Sequence, residues 1–226
     1  MQPQSLARAT GVLFIITFIT AIPALLLFDP VLNDPTYVTG AGADTQIYLG
    51  VTLELLLIIA NIGTALTLFP ILKRQNEVCA LGFVAARIVE CAFIAVGILC
   101  VLAVVTLRQE ATGTDAGALV AVSKALVAVK DWTFLLGPGF VVGVGNGLLL
   151  GYLMYRSGLV PRAMSVLGLV GGPLVCASGI AVMFGVIEPG SVAQFVATIP
   201  EILWELSLGI YLTVMGFKAS PILERT

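Results

Sequence analysis

Ionisable and amide side chains interrupt the apolar stretches of this sequence at helical spacings. Glu54 and Asn61 are seven residues apart, and Arg87 and Glu90 are three apart, so each pair lies on one face of a helix. A charge at the centre of a membrane span costs about 2.5 kcal/mol or more, and such residues usually face the bundle interior and mark function. We therefore predict one polar pocket, formed by Glu54, Asn61, Arg87, Glu90, Asn146 and Glu205.

Two roles for this pocket are compatible with the sequence. In the first, Arg87 holds one or two of the carboxylates of Glu54, Glu90 and Glu205, and another carboxyl takes up a proton or binds a small cation. Burial favours the neutral form of a carboxyl that lacks a full partner. In the second role, Arg87 and Glu90 form an ion pair that only holds helices together.

Glu201 lies four residues before Glu205 in the last apolar segment. The residues Thr198-Ile199-Pro200-Glu201 match a capping box with proline in the first turn, which predicts that the sixth helix begins at Thr198. Glu201 would then lie at the membrane interface. Glu205, one turn deeper, is the better candidate for the pocket.

The residue types exclude several chemistries. The sequence has no histidine, which excludes histidine-ligated haem, zinc-protease chemistry and Ser-His catalysis. The cysteines lie in or beside apolar segments, where a thiol behaves as a small hydrophobe, so no disulfide framework is indicated. We expect no cofactor, no metal and no catalytic residue, and an enzyme is the weakest hypothesis. The net charge of −2 without a basic run also excludes nucleic acid as a partner.

Glycines recur every four residues in the fourth apolar segment, at Gly139, Gly143, Gly147 and Gly151. This extended G-x-x-x-G pattern makes a flat groove against which a neighbouring helix packs closely. A partner helix, including one from a second copy of the chain, is a candidate occupant. Pro138 within the same segment predicts a kink.

The composition requires a membrane. The chain is 59% hydrophobic and 11% charged, whereas soluble domains have about 25% charged residues. Its mean hydropathy is +1.08. We predict an all-α polytopic transmembrane bundle, surrounded by membrane lipid, that forms a single integral membrane domain over residues 1–226. Six segments approach or exceed the roughly 20 residues that a span needs: 9–28, 47–72, 78–107, 132–155, 164–187 and 198–217.

Residues 116–129 are apolar but too short to cross a bilayer, and Lys130-Asp131 follows them. We predict a short interfacial or re-entrant helix near 116–130, with Asp131 as the N-cap of the fourth span. If this stretch crossed the membrane, the protein would have seven spans and an external carboxy terminus.

Six spans place most basic residues on one side of the membrane. Short cytoplasmic loops collect Lys and Arg, so this side is predicted to be cytoplasmic and the protein to be a multi-pass cell-membrane protein with both termini inside. Arg108 is the clear exception in the loops. The residues on the predicted cytoplasmic side are Arg8, Lys73, Arg74, Arg156, Arg162, Lys218 and Arg225.

Several blocks of the chain resemble a known family. They are DT at 44–45, LG at 49–50 with Glu54, IANIGTA at 59–65, FPILKRQNE at 69–77, AAR at 85–87 with Glu90, LGPG at 136–139, NG at 146–147, and PE at 200–201 with WE at 204–205. The chain resembles the prokaryotic multi-span membrane proteins catalogued as domain-of-unknown-function family 4386. This resemblance covers nearly the whole chain and implies a compact bundle without extramembrane domains; it implies no activity.

The polar pocket favours a small ion- or proton-coupled carrier, or a permeation protein, with a small ion or solute as its ligand. The alternative is a non-catalytic membrane module that binds lipid or a partner helix through the glycine groove.

Overall fold

The computed structural model describes residues 2–40, 42–110 and 115–224. Six long helices, here α1 to α6, dominate it, and each is long and apolar enough to cross a membrane. This finding confirms the predicted number of spans and the all-α class. The helices are α1 (Pro3–Leu27), α2 (Asp44–Leu72), α3 (Glu77–Gln109), α4 (Ala116–Ser157), α5 (Arg162–Met183) and α6 (Val192–Val214). Shorter helical segments cover Asp29–Asn33, Tyr37–Thr39 and Pro221–Glu224.

Local sequence signals set the ends of these helices. The side chain of Asn76 accepts the Cys79 amide at 3.0 Å before α3, and Ser191 accepts the Gln194 amide at 3.4 Å before α6. Such caps satisfy amides that have no partner in the first turn of a helix. Gly158 ends α4 with a positive φ of 67°, which only glycine adopts without strain.

The six helices form a closed ring in chain order. Each helix packs against the next, and α6 returns to pack against α1. Because the ring closes, side chains from non-consecutive helices meet at its centre.

Two apolar cores lie inside the ring of helices, one towards each end of the bundle. One contains Phe14, Leu68 and Phe83, and the other contains Phe28 and Ile94. The first lies towards the end of the bundle where Arg74, Arg156 and Lys218 follow or close their helices, which we call the basic end. The second lies towards the start of α2, which we call the Asp44 end. Polar residues separate the two cores.

The structure differs from the sequence prediction at α4, which runs from Ala116 to Ser157 as one helix. The prediction of a separate helix near 116–130 is therefore wrong. The prediction of Asp131 as an N-cap is wrong too, because Asp115 caps α4 by accepting the Gly117 amide at 3.1 Å. Lys130 does not end the helix, since its ammonium group is buried against a carboxylate of α2. Within the described ranges there are six spans, and residues 116–129 belong to the fourth of them instead of forming a seventh. At 1.5 Å per residue α4 is about 60 Å long, which exceeds the roughly 30 Å hydrocarbon core.

The middle of α4 adopts the wider π-helical pattern over Leu135–Val141 and Gly143–Leu150. Pro138 has no N–H to donate to the carbonyl four residues earlier, so the regular ladder cannot continue through it. Gly151 N–H instead donates to the carbonyl of Asn146, five residues back. The helix therefore continues through Pro138 with a changed hydrogen-bond pattern, and the kink itself stays a prediction.

The start of α6 also differs from the prediction. The helix begins at Val192 rather than at Thr198, and the Thr198 hydroxyl donates to the Gln194 carbonyl of its own helix at 2.9 Å. Glu201 consequently lies inside the bundle and is only 3% exposed. Its interpretation as an interfacial cap is wrong.

Candidate functional site: a buried polar layer

A layer of polar side chains separates the two apolar cores. Along α2 it falls between Leu57 of one core and Ala65 of the other, and along α3 it falls between Phe83 and Ile94. We call this set the polar layer; its members are Asn61, Arg87, Glu90, Asn146, Glu201 and Glu205.

Arg87 and Glu90 of α3 form the firmest contact of the polar layer. Arg87 Nη1 donates to Glu90 Oε2 at 2.8 Å, and Asn61 Nδ2 of α2 donates to Glu90 Oε1 at 2.9 Å. All three residues are at most 5% exposed. The Arg87 guanidinium also lies 5.3 Å from the ring centre of Phe14 and 5.9 Å from that of Phe83, within the range of cation–π attraction. Both oxygens of Glu90 therefore have donors.

Asn146 and Glu205 join α4 to α6. Asn146 Nδ2 donates to Glu205 Oε1. The carbonyl of Asn146 accepts both Gly151 N–H and, at 3.0 Å, the indole N–H of Trp204. The π-helical segment thus positions Asn146, whose side chain donates to Glu205.

Glu201 is the member of the polar layer that sequence reasoning misplaced. Neither of its carboxyl oxygens has a hydrogen-bond partner in the part of the chain that the structure describes. A Cβ added to Gly147 or to Gly171 would lie 2.8 Å from Glu201 Oε2. The carboxyl group therefore packs against bare main chain of α4 and α5. The residue lies one turn from Glu205 on the same face of α6.

The charges of the polar layer do not balance. Arg87 interacts electrostatically with Glu90, Glu201 and Glu205, and Glu201 and Glu205 repel each other. If all the carboxyls were ionised, this layer would hold two negative charges in excess of its single guanidinium. Unpaired charge is strongly disfavoured in a water-poor interior.

Glu54 belongs to a separate buried pair. Lys130 Nζ of α4 donates to Glu54 Oε1 at 2.6 Å and lies 4.9 Å from the ring centre of Phe28. Glu54 lies about 10 Å along α2 from Asn61, towards the Asp44 end. The structure thus brings together five of the six predicted pocket residues and places Glu54 apart.

Sequence reasoning missed Lys130 as a partner. A carboxylate inside a span requires a cation, and Lys130 stands in an apolar stretch, but the two residues are 76 positions apart and no spacing rule connects them. Gly97 makes room for this pair, since a Cβ there would lie 2.8 Å from Lys130 Cδ.

The glycine groove is occupied within the chain. A Cβ at Gly143 would lie 2.7 Å from the carbonyl oxygen of Gly172, and one at Gly151 would lie 3.3 Å from the Leu169 amide. Together with Gly147, these glycines therefore pack against α5. Gly139 differs, because a Cβ there would meet only the Phe134 carbonyl of its own helix, at 3.5 Å.

Arg108, the one clear basic loop residue predicted outside the cytoplasmic side, forms an ion pair with Asp44 at the Asp44 end. Its Nε donates to Asp44 Oδ1 at 2.8 Å, and the hydroxyl of Tyr37 donates to the same oxygen at 2.7 Å. Burial, the hydrogen bond and the negative charge of Asp44 hold the pKa of Tyr37 well above its ordinary value, so the phenol stays neutral. This cluster connects the loop before α2 to the end of α3.

The six long apolar helices define the class as an integral membrane protein. The family model described as "Domain of unknown function (DUF4386)" matches residues 9–216. The chain belongs to this family, as its sequence blocks indicated. The searches of curated proteins and of solved structures returned no match.

Proposed function

We propose that this protein is a small ion- or proton-coupled carrier or permeation protein whose coupling site is the polar layer. The observation that carries the proposal is the excess of carboxyl groups over cations between two apolar cores, with Glu201 lacking any donor among the described residues. Ionisable groups at this depth usually serve ion or proton pathways.

The polar layer can couple ion binding to helix movement. Arg87 is on α3 and the pair of Glu201 and Glu205 is on α6, so attraction across the ring depends on the charge of that pair. Uptake of a proton or cation reduces the attraction, and its release restores it. A ligand shifts a conformational equilibrium by the difference in its affinity for the two states, and this change of charge supplies such a difference.

The π-helical part of α4 gives the site a deformable wall. It carries Asn146, which holds Glu205, and π segments occur frequently at functional sites. We propose that α4 changes pitch in this region when the charge of the pair of Glu201 and Glu205 changes.

Flux through proteoliposomes tests the proposal. Purified protein is reconstituted with a pH-sensitive dye inside the vesicles, a potassium gradient with valinomycin sets the potential, and radioactive sodium is followed in a parallel arm. We expect wild-type protein to move protons or sodium faster than empty vesicles. Glu205→Gln should slow this movement about tenfold or more, equivalent to about 1.4 kcal/mol.

Glu188→Gln is the matched control, because Glu188 is exposed in the loop between α5 and α6. Its flux should equal that of wild type. A flux equal to that of empty vesicles for both ions, or an equal flux from Glu205→Gln and Glu188→Gln, would contradict the proposal.

A further inference from the structure

Glu201 has the poorest hydrogen bonding of the carboxyls in the polar layer. Glu90 accepts from Arg87 and Asn61, and Glu205 accepts from Asn146. Glu201 is 3% exposed and has no donor for either oxygen in residues 2–40, 42–110 and 115–224. A carboxylate in this position would lack both water and donors, and a charge buried in this way normally becomes neutral.

The charged and titratable groups around Glu201 do not supply the missing compensation. Glu205 repels it from the same helix, Arg87 of α3 attracts it but donates no hydrogen bond to it, and α5 contributes the thiol of Cys176. On the α4 side the neighbour of the carboxyl is the bare main chain of Gly147.

Amide oxygens of this layer also lack donors, while Arg87 Nε and Nη2 lack acceptors among the described residues, so the orphan groups do not reach one another. Asn146 is fully buried, and its Oδ1 has no donor among the described residues, although its Nδ2 donates to Glu205. Asn61 Oδ1 is an orphan acceptor too. A neutral carboxyl group brings one O–H donor, whereas an ionised one brings only more acceptors.

We propose that Glu201 is the proton-binding residue of this protein and that, of the interacting pair Glu201 and Glu205, it carries the single proton at neutral pH. The inference rests on the proposed function for its role and names the coupled ion as a proton. Glu201 carries the proton as a neutral acid, while Glu205 remains ionised, accepts a hydrogen bond from Asn146 and is attracted by the charge of Arg87. On release, the O–H bond of Glu201 breaks, the proton passes to Glu205 or to entering water, and the electron pair stays on the Glu201 oxygen.

The surroundings of Glu201 favour a proton over a metal cation. A hard cation such as calcium takes about six or more oxygen ligands. The carboxyl of Glu201 packs against Gly147 and Gly171, which have no side-chain oxygens, and both approach Oε2 closely. A proton needs only one oxygen lone pair.

Infrared spectroscopy tests this protonation without any transport assay. The full chain is purified in a detergent that has no ester groups, and the C=O stretching band of protonated carboxyl side chains is recorded at neutral pH, with and without carbon-13-labelled glutamate. We expect one such glutamate band in wild type. Glu201→Gln should abolish it, Glu201→Asp should replace it by an unlabelled aspartate band, and Glu188→Gln should leave it unchanged.

Three results would overturn the inference: no glutamate band in wild type, a band that survives Glu201→Gln, or a band that appears only after sodium and potassium are withdrawn. If Glu201→Gln fails to fold, the wild-type labelling and Glu201→Asp still decide the assignment. The carrier proposal is tested separately. If the spectrum shows the band but the vesicles show no flux, the proton site is retained and the carrier is rejected.

Discussion

At the scale of single residues, the polar layer depends on one cation that serves several carboxyls. Arg87 is bonded to Glu90 and also faces Glu201 and Glu205 across the ring. Removal of one partner from a buried charge pair costs about 3–5 kcal/mol, because the remaining charge stays buried without compensation. Removal of the guanidinium alone should therefore cost far more than removal of one partner of an exposed ion pair.

We expect Arg87→Met to lower the free energy of unfolding by about 3–5 kcal/mol, since Glu90 and Glu205 would lose their cation. Thermal and denaturant unfolding in one detergent would measure the loss. Arg156→Met is the control, because Arg156 is exposed at the basic end and should change stability by no more than about 0.5 kcal/mol. Equal effects of the two substitutions would show that Arg87 does not stabilise the layer.

Glu54 of α2 and Lys130 of α4 form a buried ion pair in which each charge compensates the other. Lys130→Met leaves a buried carboxylate without its cation and should be strongly destabilising, whereas adding Glu54→Gln removes that charge as well. We expect the double variant to be more stable than the sum of the single changes predicts, by about 1–3 kcal/mol. A double-mutant cycle of unfolding free energies measures this difference, and strict additivity would contradict a direct pair.

At the scale of helices, the sequence predicts what depends on local pattern. Runs of apolar residues predict the six spans, because only they are long enough to cross lipid. The start of α6 was missed because Thr198 to Glu201 matches a capping box, although Ser191-x-x-Gln194 matches one too and is the one used. Which of two local signals prevails depends on the packing of Glu201, and the sequence does not contain that information in local form.

The same limit explains the error at α4 and the incomplete pocket. Lys130-Asp131 ends a helix if the lysine must reach water, but the partner Glu54 on another helix removes that need. Spacing along one helix placed Arg87 beside Glu90 correctly. It could not place Glu54 away from them, because its position relative to them depends on how α2 packs against α3 and α4.

The glycines of α4 differ in how closely a neighbouring helix approaches them. A Cβ at Gly147 would lie 2.8 Å from the Gly172 amide nitrogen, which is main chain and cannot move aside, whereas a Cβ at Gly139 would make an ordinary 3.5 Å contact. We expect Gly147→Ala to destabilise the protein by about 1–3 kcal/mol through overpacking. Gly139→Ala should be neutral or slightly stabilising, since alanine favours a helix by up to about 1 kcal/mol over glycine. Unfolding measurements that rank the two variants in the opposite order would contradict the packing of α5 against α4.

At the scale of the whole molecule, the first turn of α1 and the segment after α6 meet at the basic end of the bundle. Gln4 Nε2 donates to the Phe217 carbonyl at 2.8 Å, and Phe217 N–H donates back to Gln4 Oε1 at 2.9 Å. The Lys218 amide donates to the Leu159 carbonyl at 2.8 Å, so the segment after α6 also closes over the turn between α4 and α5. An even number of crossings is consistent with this contact between the start of α1 and the segment after α6.

The basic end should face the cytoplasm, because Lys and Arg accumulate in short cytoplasmic loops. In a background without the native cysteines, Glu188→Cys lies in the exposed loop between α5 and α6, and Ala219→Cys lies at an exposed position of the basic end. A membrane-impermeant maleimide added to intact cells should label Glu188→Cys and should label Ala219→Cys only after the membrane is opened. Labelling of Ala219→Cys but not of Glu188→Cys in intact cells would contradict the predicted orientation. Equal labelling of both positions would mean that α6 does not separate them across the membrane.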